Sequence, residues 1–394
     1  MSAPCINGTA TSARGVSGDL TRLPGLGSYV PAIDGLRAIS ITFVLLSHYS
    51  IFDQTTPWLY SFGTSFGELG VSIFFVISGY LITGLLLREE DCNGRIDLAR
   101  FYGRRFLRIF PAAYTFLLAI LLLAVAGIIE VAPHTYVASL LYFRNLVGRG
   151  HETAHLWSLA IEEQFYLLWP MALVLCAPAK RLRMAAIVIL VALPWRAYQV
   201  IFGHLPDGVV YHRTDLRIDT ILFGCLLALL LRTPGFAKWN ARLLANPAVG
   251  WVGCLMVALT SWAAIRWPVF MALECSIVPL GIVMAIHRVV QSSGSWFGKL
   301  LCLPPVVFVG KLSYSLYLWQ QLFMGPIEGR FAPLRAFPIN IVLSFLFALF
   351  SYYVVERPAL RLKDRRFGVR RTTANTRQVY GSASQVLPLT ANGN

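Results

Sequence analysis

Ten runs of mostly apolar residues organise the chain. They lie near 35–52, 70–87, 108–128, 156–177, 184–201, 217–231, 247–264, 269–287, 305–324 and 338–356, close to the length of about 20 residues that a helix needs to cross hydrocarbon. The sixth run is short, and a tight turn near Arg266-Trp267-Pro268 parts the seventh from the eighth. Residues 133–147 (PHTYVASLLYFRNLV) are too polar and too short to cross, which predicts an interfacial or re-entrant helix. The pattern predicts an all-α fold: a polytopic membrane helix bundle with about ten transmembrane helices. Residues 1–30 are rich in Gly, Ser, Thr and Ala and hold no apolar run, so they read as a flexible tail and not as a cleavable signal. Residues 31–360 form the expected membrane domain, and residues 361–394 read as a basic and polar disordered tail. The absence of an internal repeat weakens a transporter built from inverted halves.

Composition agrees. The chain is 56% hydrophobic and only 13% charged, against about 25% charged in a soluble domain. The net charge of +15 is distributed by topology. With the N-terminus inside, 24 Lys and Arg residues fall on the inner side and 6 on the outer side. The other four, Arg37, Arg196, Arg217 and Lys311, lie within or at the ends of spans. That asymmetry predicts that both termini are cytoplasmic, and it removes nucleic acid as the reason for the charge. The seven cysteines show no CxxC or Cys/His spacing, so they read as packing residues and no metal is expected.

Polar groups inside the spans are costly, which makes each a candidate for function. In DGLRAISITFVLLSH, Arg37 and His48 are eleven residues apart, with Asp34 at the helix start. Eleven helical steps make roughly three turns, so the two side chains share a face about 16 Å apart along the axis. In ARFYGRRFLRIFP, Arg105 and Arg108 face together at i, i+3, a spacing suited to gripping phosphates. Pro111, one turn further, is expected to kink that helix. In HLWSLAIEEQFYLLWP, His155, Ser158 and Glu162 form one polar stripe, and Glu163 points about 100° away. Glu162 falls at a depth similar to that expected for His48, so a histidine, a serine and a carboxylate are expected to converge. Glu163 could pair with Arg217. In YHRTDLRIDTILFG, Asp215 and Asp219 are spaced i, i+4 with Arg217 between them, and VVERP carries Glu356 beside Arg357. The last two stretches also read as simple ion-paired boundaries, and for Glu356 that is the preferred reading.

Taken together, IDGLRAISITFVLLSH, GVSIFFVISGYLIT, FYGRRFLRIFP, HLWSLAIEEQFYLLWP, RTDLRIDTILFG, GKLSYSLYLWQ and VVERP resemble the acyltransferase 3 family of integral membrane O-acyltransferases. The resemblance runs from about residue 29 to 360, and seven motifs in order are specific where any one would be weak. The family's spaced Arg and His match Arg37 and His48, its Arg-x-x-Arg matches Arg105 and Arg108, and its Ser-x-x-x-Glu matches Ser158 and Glu162. The resemblance implies transfer of an acyl group, usually acetyl, from cytoplasmic acyl-CoA to a hydroxyl. Typical acceptors are a surface glycan, a lipid-linked sugar or a secreted small molecule. It also implies a place in the bacterial inner membrane, in contact with the lipid bilayer. The chain resembles the standalone type, without a fused esterase-like domain.

Acyl transfer from a thioester needs a proton acceptor, donors for the oxyanion and an anchor for CoA. The expected roles are His48 as base or acyl relay, Glu162 orienting it, and Arg105 with Arg108 on the acetyl-CoA phosphates. Arg37 lies between. Acceptor specificity is expected in residues 129–155 and 202–216. The rival reading is a proton-coupled transporter or flippase of a glycan precursor, because buried His, Glu and Arg also make proton relays.

Overall fold

The computed structural model describes residues 29–52, 57–148, 150–203, 209–239, 246–264, 267–291, 294–326 and 332–367. Residues 1–28, Arg266 and residues 368–394, on which several expectations fall, lie outside them. All regular elements among the described residues are helical. Ten helices of twelve residues or more occupy the ten predicted positions: α1 (Pro31–Phe52), α2 (Pro57–Asn93), α3 (Leu98–Val125), α4 (Leu156–Leu175), α5 (Pro178–Phe202), α6 (Thr214–Leu230), α7 (Pro247–Ala264), α8 (Pro268–Gln291), α9 (Pro304–Phe323) and α10 (Ile339–Phe350). A π-helical stretch, Ser351–Glu356, carries α10 into α11 (Arg357–Phe367). Five segments are long and apolar enough to cross a membrane: Phe66–Asn93, Leu98–Val125, Pro178–Phe202, Phe270–Val290 and Ile339–Phe367.

Local chemistry sets the boundaries. Proline opens α1, α2, α5, α7, α8 and α9, where its missing N–H costs nothing. Asp97 caps α3 by accepting from the Arg100 amide at 2.9 Å. The segment expected to be interfacial folds as a short helix, Pro133–Leu140, followed by a 3-10 turn at Arg144–Leu146. Pro111 lies inside α3, which continues through it. One expectation needs correction. The basic tail does not begin as disorder at residue 361. It stays helical to Phe367, whose carbonyl accepts from Arg100 Nε at 3.2 Å and Nη2 at 2.7 Å.

Close helix contacts position the polar groups. α1 packs against α2 and α9, and α2 also packs against α6. At Gly67 of α2, an added Cβ would lie 2.4 Å from Ser47 Oγ of α1. At Gly224 of α6 it would lie 2.0 Å from the Val76 carbonyl. Small residues permit such backbone approach, as is common between membrane helices. Outward faces of α3 and α5 remain apolar, with Leu122, Val125, Leu190 and Val191 exposed.

A buried ion pair ties α6 to two further helices, α5 and α8. Arg196 of α5 lies 2.6 Å from Asp219 of α6, and both side chains are 0% exposed. Arg196 also donates to the Leu216 and Ala272 carbonyls at 2.7 and 2.9 Å and to Ser276 Oγ at 3.0 Å, and Ser276 Oγ donates to Asp219 at 2.7 Å. Asp219 is thereby committed to the α5–α6–α8 contact. Asp215 is occupied differently, by Arg213 at 2.7 Å and the Trp195 indole at 2.9 Å.

Candidate active site

Polar side chains gather at both ends of α1, in two separate groups. At its C-terminal end, a cavity of about 790 Å³ is lined by Ser47 and His48 of α1, Glu68 of α2, the loop around Arg144–Trp157, residues 209–213 and Tyr317 of α9. His48 Nδ1 lies 2.8 Å from Gln320 Oε1 of α9. The Gln320 amide nitrogen donates to the Tyr317 carbonyl at 3.5 Å, which turns Oε1 toward the histidine. A neutral imidazole that donates from Nδ1 presents Nε2 as the acceptor.

His155 lines the same cavity, and Ser158 is tied to its wall through Tyr317. Ser158 Oγ lies 2.5 Å from the Tyr317 hydroxyl, which also bonds the His155 carbonyl. The His155 ring is 2% exposed, packed edge-on against Phe116, and neither ring nitrogen has a well-formed hydrogen bond. In the loop, burial lowers the His151 imidazole to about 4, with Arg335 adding to the shift. Burial likewise lowers His212 to about 4, helped by Arg217 and Arg144. Glu152 is raised by burial, against the pull of Arg335 at 2.9 Å. The loop histidines are therefore neutral at pH 7.

The second group lies toward the N-terminal end of α1. Arg37, Arg105 and Glu356 all act on the charge of Arg108. Arg108 is exposed. Arg37 lies 3.8 Å from Asp34, which accepts from the Tyr29 hydroxyl at 2.8 Å. The Arg105 guanidinium stacks 3.6 Å above the Tyr166 ring, and Tyr166 bonds Ser78. Glu356, turned inward by the π-helical stretch, is buried and bonded to Ser315. It therefore belongs to this group and is no mere boundary residue.

This arrangement corrects two pairings. Glu162 does not orient His48. Its charged neighbours are Arg105 and Arg37, with Ser78 and Tyr166 beside it. The stripe on α4 fixes its face, but one helical turn below Ser158 it meets the arginine group and not the cavity. Glu163 does not meet Arg217 either. Arg105 is its nearby cation, whereas Arg217 contacts Glu68 at 3.4 Å, Ser72 Oγ at 3.1 Å and Cys275 Sγ at 3.2 Å. Gln320, Tyr317 and Tyr166 were not singled out from sequence. The signal for Gln320 was present as two adjacent glutamines near the end of the apolar helix α9. Among the described residues no group of His, Cys, Asp and Glu is set to hold a metal.

Comparison with known proteins gives these two groups a context. The sequence profile described as an acyltransferase domain matches residues 30–357. A Staphylococcus aureus strain COL protein provisionally named O-acetyltransferase SACOL0978 is 33% identical over 360 residues. The O-acetyltransferase OatA of Staphylococcus aureus strain NCTC 8325 is 32% identical over 367 residues. Each match covers 84% of this chain and 57% of the relative, so the chain spans little more than half the length of these relatives. No solved structure matches. With the matched profile covering the helices that carry both polar groups, the chain belongs to the acyltransferase 3 family.

Proposed function

We propose that the protein is a membrane O-acyltransferase that moves an acyl group, acetyl being the usual case in the family, from acyl-CoA to a hydroxyl. The observation that carries this reading is the division of α1. His48, paired through Nδ1 with Gln320, faces a cavity at one end, and Arg37, Arg105 and Arg108 gather at the other. The bundle crosses the membrane ten times with both termini in the cytoplasm. The 24-to-6 partition of Lys and Arg supports that topology. The arginine group then faces the cytoplasm, where paired guanidiniums grip the CoA phosphates. The His48 cavity opens toward the other side, within the bacterial plasma membrane.

In the reaction, His48 Nε2 takes the proton of the acceptor hydroxyl as its oxygen attacks the thioester carbon. The tetrahedral oxyanion collapses, the C–S bond breaks, and the CoA sulfur leaves with the proton returned by the imidazolium. The products are an ester and free CoA. Tyr317 lines the cavity wall and is fixed there by its bonds to Ser158 Oγ and the His155 carbonyl. The acceptor is a glycan or other hydroxyl-bearing molecule, and the names of the O-acetyltransferase relatives support that class.

The test is consumption of acetyl-CoA by membranes containing the protein. His48→Ala should lower the rate by roughly a hundredfold or more, the scale of general base catalysis. Arg105→Ala should instead raise the KM for acetyl-CoA. Unchanged turnover in the His48 variant at equal expression overturns the reading.

A further inference from the structure

Among the described residues that line the His48 cavity, Glu68 is the only carboxylate. The two arginines of the lining are committed elsewhere. Arg144 holds its own loop through Thr153 Oγ1 at 3.1 Å, the Gly150 carbonyl at 2.8 Å and the Val147 carbonyl. Arg213 is paired with Asp215 at 2.7 Å. Glu68 is held loosely. Its Oε2 lies 3.4 Å from Arg217, while the buried pairs Arg196–Asp219 and Arg335–Glu152 close to 2.6 and 2.9 Å. Charge-assisted hydrogen bonds normally lie at about 2.7–2.9 Å. Arg217 divides its donors between Ser72 and Cys275 as well. No donor among the described residues bonds Glu68 Oε1.

The depth of this carboxylate is fixed. The preceding residue, Gly67, packs directly on Ser47, the neighbour of His48. The cavity wall also carries Trp157, whose ring is held 4.6 Å from the His212 ring and edge-on to Phe75 at 6.3 Å. A carboxylate with spare acceptor capacity in the same cavity as a fixed aromatic ring matches a hydroxylated ring. The carboxylate accepts from hydroxyls, and the aromatic ring covers the apolar face.

We propose that Glu68 is the acceptor-selecting residue: its carboxylate receives hydrogen bonds from hydroxyls adjacent to the one that reacts at His48, and Trp157 supports the ring. The cavity then favours a cyclic polyol over a simple alcohol. This rests on the transferase reading for its choice of reacting group, but not for the binding itself.

The experiment uses the full chain in lipid nanodiscs with two probes, methyl glucopyranoside and cyclohexanol. CoA release from acetyl-CoA gives turnover, and tryptophan fluorescence gives binding, with Trp157→Phe as the control for the reporting residue. For Glu68→Gln, the KM and the binding midpoint for methyl glucopyranoside should rise at least tenfold. The KM for acetyl-CoA and the weak rate with cyclohexanol should stay within twofold. Glu68→Asp, which keeps the charge that faces Arg217, should fall between and serves if the Gln variant does not fold. Equal loss with both probes, or an unchanged glucoside KM and midpoint, overturns the role of Glu68 while leaving acyl transfer intact. Glucoside binding that depends on Glu68 without any CoA release overturns acyl transfer and upholds the role of Glu68. No glucoside binding by the unmodified protein overturns the polyol site.

Discussion

A histidine is a useful base only when one nitrogen is kept free of its proton, and in the role proposed for His48 the partner doing this is an amide. Gln320 accepts from His48 Nδ1 and is itself fixed by the Tyr317 carbonyl. Replacing Gln320 by Leu should leave the fold intact and lower kcat about tenfold, the value of one lost hydrogen bond of about 1.4 kcal/mol. Steady-state kinetics with the KM for acetyl-CoA held as the control would check this. Sequence reasoning singled out His48, Arg37, Arg105 and Arg108 as candidates because helical arithmetic along one element locates a face and a depth. It missed Gln320 and misassigned Glu162 because partner choice is made between elements, and spacing along α4 carries no information about which neighbour lies opposite each turn. Glu68 was invisible for the same reason. Its partner Arg217 lies on α6, and the preceding Gly67 packs on Ser47 of α1.

At the scale of elements, the apolar runs predicted the long helices well, since burial of backbone polar groups leaves lipid-facing segments little alternative to helix. The runs could not show how the helices are joined. The Arg196–Asp219 pair joins α5, α6 and α8 from positions that sequence presented as unrelated. Removing one member strands the other charge. Asp219→Ala should therefore destabilise the protein by about 3–5 kcal/mol, and the paired change Arg196→Leu with Asp219→Ala should recover much of that loss. Thermal unfolding in detergent would measure both. Equal stability of the single and double variants would show that the pair does not hold these helices. The α11 extension had no apolar signal at all. Its helix continues because Arg100 accepts the job of bonding its last carbonyl.

Over the whole molecule, the loop histidines set a pH dependence. His151 and His212 are held near 4 when folded, against about 6.5 when unfolded. Between those values the unfolded chain binds more protons, so stability is fully present above about 6.5 and falls as the pH drops toward 4. Glu152, in the same loop, is raised in the fold and works in the opposite direction. The contribution of the two histidines should make the thermal midpoint decline from pH 7 to pH 5. Replacing both histidines by Gln should flatten that slope, as scanning calorimetry across the range would show.

The two polar groups at opposite ends of α1 share no residue, and that separation has a kinetic consequence. Under the proposed function, donor and acceptor do not compete for the same space, so either docks while the other is present. A thiol-lacking CoA analogue should inhibit competitively against acetyl-CoA and non-competitively against the acceptor. Double-reciprocal plots would distinguish this from a single shared pocket, in which the analogue would raise the apparent KM of both substrates without lowering the limiting rate of either.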